Sequence, residues 1–98
     1  MISHREKEKL YQFAREIILA NGGEKQQIKA AEELGELQQE MLKAVDGRPD
    51  RDAIVEEFAD VIVMLWQIRV MFGITRPEIE KWIDAKLYRT RKKFNLGL

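Results

Sequence analysis

Cysteine is absent from these 98 residues, and histidine occurs once, as His4. Without thiols the chain has no disulfides, no thiolate nucleophile and no cysteine-ligated zinc site. With a single imidazole near the start, neither a Ser-His-Asp triad nor a histidine-rich metal site can be assembled from one chain. Long apolar runs are missing as well. A membrane-spanning helix needs about eighteen or more consecutive apolar residues, and the sequence contains no such run. The opening Met1-Ile2-Ser3-His4-Arg5-Glu6-Lys7-Glu8 is polar and charged, unlike a signal peptide. The expectation is a cytoplasmic protein with no membrane partner.

Neither sign of charge is in excess, since 17 Lys and Arg face 17 Asp and Glu, but the charges are unevenly placed. Residues 32–60 hold ten acids and three bases, whereas 69–98 hold eight bases and three acids. An acidic centre that gathers cations and a basic end that could hold phosphates suit a metal–polyphosphate substrate. A groove for a nucleic acid polymer would be more basic overall, so none is expected as a partner.

The spacing of apolar residues predicts four helices and no strand. Ser3 and Glu6 fit a capping box, followed by Leu10, Phe13, Ala14, Ile17 and Ile18 at helical intervals until Asn21-Gly22-Gly23. A second segment, from about Lys25 to Val45, carries Ala30, Leu34, Leu37, Met41 and Val45 on one face and ends at Asp46-Gly47-Arg48-Pro49-Asp50. A third, about Arg51 to Phe72, includes Val61-Ile62-Val63-Met64-Leu65-Trp66, apolar all round, and Gly73 closes it. Thr75, Pro77 and Glu78 then start a fourth helix bearing Ile79, Trp82, Ile83, Leu87 and Phe94. Short connections imply an all-α, antiparallel four-helix bundle, a single domain over residues 1–98. So small a domain leaves the third helix hard to cover, which predicts a homo-oligomer, a dimer or tetramer, with Val63, Met64 and Trp66 at its interface.

Two acidic blocks stand out: Glu32-Glu33-Leu34-Gly35-Glu36, and then Glu57-Phe58-Ala59-Asp60 after twenty residues. On helices, each block projects two carboxylates three residues apart onto one side. Acid-rich helical stretches are ordinarily solvated faces. Here, however, Glu33 and Glu36 border the apolar stripe beside Leu37, and Glu57 and Asp60 flank Phe58 and Val61. Partly desolvated carboxylates without basic neighbours are costly, and a divalent ion is one way to offset that cost. Oxygen-only ligands favour Mg²⁺, with Mn²⁺ an alternative.

The pattern E-E-x-x-E, a spacer of about twenty residues and then E-x-x-D, on two neighbouring helices of a cysteine-free α-helical chain, resembles the MazG-like all-α nucleoside triphosphate pyrophosphohydrolases. The likeness runs over the whole chain, including Gln26-Gln27-Ile28-Lys29-Ala30-Ala31 and the basic stretch Lys86-Leu87-Tyr88-Arg89. It implies that Glu33, Glu36, Glu57 and Asp60 are the Mg²⁺ ligands and Glu32 an outer ligand or base. It further implies hydrolysis of the α–β phosphoanhydride of a nucleoside triphosphate to monophosphate and pyrophosphate, in a dimer or tetramer.

Such a reaction needs oxygen charge neutralised and a water aligned, with no protein nucleophile. Glu32 or Glu36 could serve as the catalytic base. Lys86, Arg89 and Lys29 could contact the phosphates, although cations are favoured near a helix C-terminus in any case. Gln26 and Gln27 could reach a ribose or phosphate, though glutamine is more often a surface residue. Trp66, Trp82, Tyr88 and Phe13 could stack on a base, yet aromatics at helical spacing more often belong to a core. Three other readings stay open. One is a non-catalytic oligomeric helical interaction module. A second is a di-iron bundle, which the missing Glu-x-x-His ligands disfavour. The third is a related pyrophosphohydrolase acting on a phosphoribosyl-nucleotide or a deoxyuridine nucleotide.

Overall fold

The computed structural model describes residues 3–97, which form four α-helices: α1 (His4–Asn21), α2 (Gly23–Val45), α3 (Arg51–Phe72) and α4 (Arg76–Lys93). No strand occurs among the described residues, so the all-α class is met. Three of the four helices begin where a side chain supplies a partner for their free N–H groups. Ser3 and Glu6 close a reciprocal capping box on α1, and Thr75 and Glu78 do the same on α4. On α3 the Asp50 carboxylate accepts from the Ala53 N–H at 3.1 Å. The left-handed Gly73 stops α3, a conformation that glycine adopts without steric cost.

α2 begins two residues earlier than the sequence spacing suggests, because Gly22 alone makes the joint with α1. Its φ of 93° and ψ of 146° lie in a region essentially reserved for glycine. Its N–H still bonds to the Ile18 carbonyl at 2.9 Å, and its carbonyl accepts from Gln26 N–H at 3.2 Å. One residue therefore ends one helix and starts the next.

α3 is central, packed against both α2 and α1. Gln26 bonds to Gln67, and Glu36 meets Glu57, so α2 and α3 run antiparallel. The stripe of α2 turned towards α3 is Gln26, Ala30, Glu33, Leu37, Glu40 and Ala44, all buried or half-buried. The apolar stripe expected from sequence was rotated from this one. Leu34 and Met41 are 44% and 43% exposed and Val45 is 87% exposed, while two glutamates occupy inward positions.

Two expectations about packing are corrected. Met64 is buried within the chain rather than at a subunit face, Val63 lines a cleft against α1, and Trp66 meets Tyr11 of α1 edge-on at 6.1 Å. Met64 is thus enclosed by the chain itself, whereas Val63 and Trp66 remain half-buried. The exposed apolar side chains of α3 are instead Val55, Phe58, Leu65 and Phe72.

Nor do four helices form one bundle within the chain. The axis turns by 119° between α3 and α4, and α4 packs on none of the other three. The Cα radius of gyration is accordingly 16.0 Å, against about 13 Å for a compact domain of this length. Among the described residues only Ala14, Ala30, Val61 and Met64 are buried apolar side chains. Trp82, Ile83, Leu87, Tyr88 and Phe94 on or just after α4 are more than half exposed or close to it. No single described helix is long and apolar enough to cross a membrane.

Nothing lies within 4 Å of a Cβ built on Gly22, so a substitution there meets strain in the backbone and no clash. Gly22→Ala is expected to lower stability by about 1–3 kcal/mol, read as a lower urea midpoint with an unchanged slope.

Candidate metal centre and adjoining cleft

The antiparallel register of α2 and α3 carries both acidic blocks to one place. Glu33, Glu36 and Glu57 each offer a carboxylate oxygen, and these atoms lie within 4.8 Å of one another. Glu33 and Glu57 are half-buried, while Glu36 is exposed at the edge. Helical spacing explains the convergence: Glu33 and Glu36 are one turn apart on α2, and Glu57 projects from the facing side of α3.

The local partners do not satisfy these groups. Lys29 approaches Glu33 Oε1 at 3.6 Å, leaving Glu33 Oε2 buried without a hydrogen bond. Glu57 Oε2 is likewise buried without a partner. Burial, together with a hydrogen bond to Glu36 and the charges of Glu36, Asp60 and Glu33, pushes the Glu57 carboxyl from 4.5 up to about 7. Without a cation, Glu57 therefore holds its proton up to about pH 7. Clustered oxygen donors with no nitrogen or sulfur, two of them orphaned, fit a hard divalent ion such as Mg²⁺ or Mn²⁺.

Asp60 stands outside the tight trio but beside it, close enough to act on Glu57 and on the wall of an adjoining cleft. The cleft has a volume of about 530 Å³, within the range of about 300–1,000 Å³ usual for small-molecule sites. Lys29, Glu33 and Asp60 line its charged side, and Asn21, Gln26 and Gln67 also face it. Phe13 of α1 and Val63 of α3 contribute apolar wall.

Not every residue singled out in the sequence arrives here. Glu32 is exposed and lies outside the trio, a helical step of one residue having turned it away from Glu33. Lys86 and Arg89 sit on α4, where they line a shallow pocket with Thr90 and Lys93. Because α4 touches none of the other helices, the chain does not bring these two cations to its own carboxylates. Lys29 is at the site, engaged with Glu33.

Three inward-facing polar residues of the α2/α3 seam were missed or misjudged. Glu40 Oε2 is buried without a partner, and its other oxygen takes Lys43 at 3.2 Å. It stands four residues beyond Glu36 and seven beyond Glu33, a spacing that the sequence does display. Gln26 is only 2% exposed, contrary to the surface role expected of it, and Gln67 is buried to the same extent. Gln26 Nε2 donates to Gln67 Oε1 at 2.6 Å, and Asn21 Nδ2 donates to Gln26 Oε1 at 2.7 Å. Without such partners each buried amide would cost about 1–3 kcal/mol.

The raised carboxyl of Glu57 has a definite sign in stability. Between 4.5 and about 7 the folded chain holds a proton that the unfolded chain releases, so metal-free stability falls as pH rises through that window. Glu57→Gln is expected to flatten the decline, seen as a melting temperature nearly independent of pH between about 5 and 8. In the unaltered chain, stabilisation by Mg²⁺ is expected to strengthen over the same interval as the competing proton leaves. A melting temperature that rises towards pH 8 without metal would contradict this account. Known family models, curated proteins and solved structures give no match to this chain, so the reading of its site rests on the residues and their geometry.

Proposed function

We propose that this chain is a Mg²⁺-dependent nucleotide pyrophosphohydrolase that cleaves the α–β phosphoanhydride of nucleoside triphosphates, including non-standard ones, to monophosphate and pyrophosphate. The observation that carries the proposal is the carboxylate trio with its orphaned oxygens, opening beside a cleft of nucleotide size. The resemblance of the two acidic blocks, E-E-x-x-E and E-x-x-D, to the MazG-like pattern favours the same reading.

Glu33, Glu36, Glu57 and Asp60 hold the ion or ions in this reading. Bound there, Mg²⁺ neutralises phosphate oxygen charge and makes a water more acidic. Of the two candidate bases, Glu36 has the better position, since it belongs to the trio and reaches solvent, whereas Glu32 faces outward. Glu36 takes the proton from the water that adds to one phosphorus of the anhydride. The bridging oxygen leaves with the other half of the substrate. Lys29, beside Glu33, supplies the nearest positive charge for the phosphates.

The assembled form is part of the proposal. Residues 76–93 carry seven bases and three acids and an uncovered apolar surface, while α2 and α3 hold the acidic centre. A second copy that covers α4 gives a homodimer or homotetramer and lets Lys86 and Arg89 serve a neighbouring site. The uncovered apolar residues of α4 equally favour the second reading, a non-catalytic helical interaction module; the metal response separates the two.

Incubation of canonical and modified triphosphates with Mg²⁺ is expected to yield monophosphate and pyrophosphate in equal amounts, abolished by EDTA. Glu33→Gln is expected to lower kcat/KM by at least about 100-fold, since even residues that only support metal ligands cost about 10–100-fold. Orthophosphate as the sole product would refute α–β cleavage. Light scattering is expected to give twice or four times the chain mass, and Trp82→Glu to shift the distribution towards single chains.

A further inference from the structure

The two largest fully enclosed side chains are both glutamines, where a small helical domain ordinarily buries Leu or Met. Their neighbours along the α2/α3 seam, Ala30, Val61 and Met64, are apolar as usual. Gln26 and Gln67 are not isolated defects, because they form a directed chain with Asn21. Asn21 donates to Gln26, and Gln26 donates to Gln67, so every bond points the same way. All three residues line the cleft that Glu33 and Asp60 border.

A chain of that polarity leaves an unspent group at each end. Gln67 receives a hydrogen bond on Oε1, and among the described residues none accepts from its Nε2. At the rim, Asn21 gives up an N–H and keeps its carbonyl oxygen free among the described residues. The buried end thus presents an amide donor and the open end an acceptor, with Phe13, Ile17 and Val63 forming apolar wall nearby. A flat heterocycle with hydrogen-bonding edges is the ligand complementary to such a wall.

We propose that Asn21, Gln26 and Gln67 form the base-reading end of the cleft, with Gln67 donating to an exocyclic carbonyl of the nucleobase. Bases that carry such a carbonyl are preferred over adenine, which has none. Gln26 acts as a positioning residue, holding the Gln67 amide in one orientation. This inference rests on the proposed nucleotide reaction for the identity of its ligand. Its selectivity arises because the Gln67 amide, held in one orientation at the cleft wall, pairs with a carbonyl oxygen and meets a donor where a base presents an amino group, and hydrogen-bonding sites reject analogues more sharply than apolar ones do.

The test measures binding and turnover separately. Deoxynucleoside 5′-monophosphates of uracil, thymine, guanine, cytosine and adenine are titrated calorimetrically with Mg²⁺ into the full chain, and the matching triphosphates are assayed for pyrophosphate. The unaltered chain is expected to bind the adenine nucleotide weakest, by roughly tenfold or more. Gln67→Met and Asn21→Ala are each expected to compress that spread to within about threefold while the Mg²⁺-induced rise in melting temperature persists. Should Gln67→Met fail to fold, Asn21→Ala decides, since its side chain is at an exposed helix end. Base-selective binding without pyrophosphate release would remove the reaction and keep the reader. Turnover without base preference, or a preference unchanged in a folded variant, would overturn the reader and keep the reaction.

Discussion

The contact of α2 with α3 governs everything else in this molecule, because it puts polar groups where a helical seam normally puts apolar ones. Gln26 opposite Gln67 and Glu36 opposite Glu57 fix the two helices antiparallel at a register with little latitude. Sliding either helix by one turn would bury an amide or a carboxylate against aliphatic carbon. The seam therefore gives up part of its capacity for apolar burial in return for specificity of alignment. The small number of enclosed apolar residues reflects the same compromise.

Within that seam, the acidic cluster has two ways of relieving its own repulsion. One is protonation, since burial and the neighbouring carboxylates raise the Glu57 carboxyl from 4.5 to about 7. The other is a divalent ion, which would also engage the unpartnered oxygens of Glu33 and Glu57. A metal ion would compete with the proton for one set of lone pairs, so its occupancy would follow pH as well as metal supply. The proposed hydrolysis uses the second state, and the cleft alongside gives it room for a substrate.

Much of this was legible in the sequence. The capping boxes at Ser3 and Thr75, the breakers at Gly22 and Gly73, and the four helices between them follow from local chemistry that needs no tertiary context. The convergence of Glu33, Glu36 and Glu57 was also readable, from three-residue spacing and two adjacent helices. What could not be read was rotation. Leu34, Met41 and Val45 looked like the inner face of α2, and only the α3 surface, polar at Gln67 and Glu57, shows why Gln26, Glu33 and Glu40 turn inward instead. The separation of α4 was equally hidden, since a 119° turn at a short connection depends on three backbone conformations that apolar periodicity does not encode.

Between α1 and α2 the chain has a single residue and no slack. Asn21 ends one rod and Gln26 lies on the first turn of the other, with Gly22 as the pivot between them. Phe13 and Asn21 ride on the same rod, so the angle at Gly22 fixes where both stand along the hollow. The apolar wall and the polar rim of the hollow are thus placed by one joint, and the conformation of a single glycine sets both.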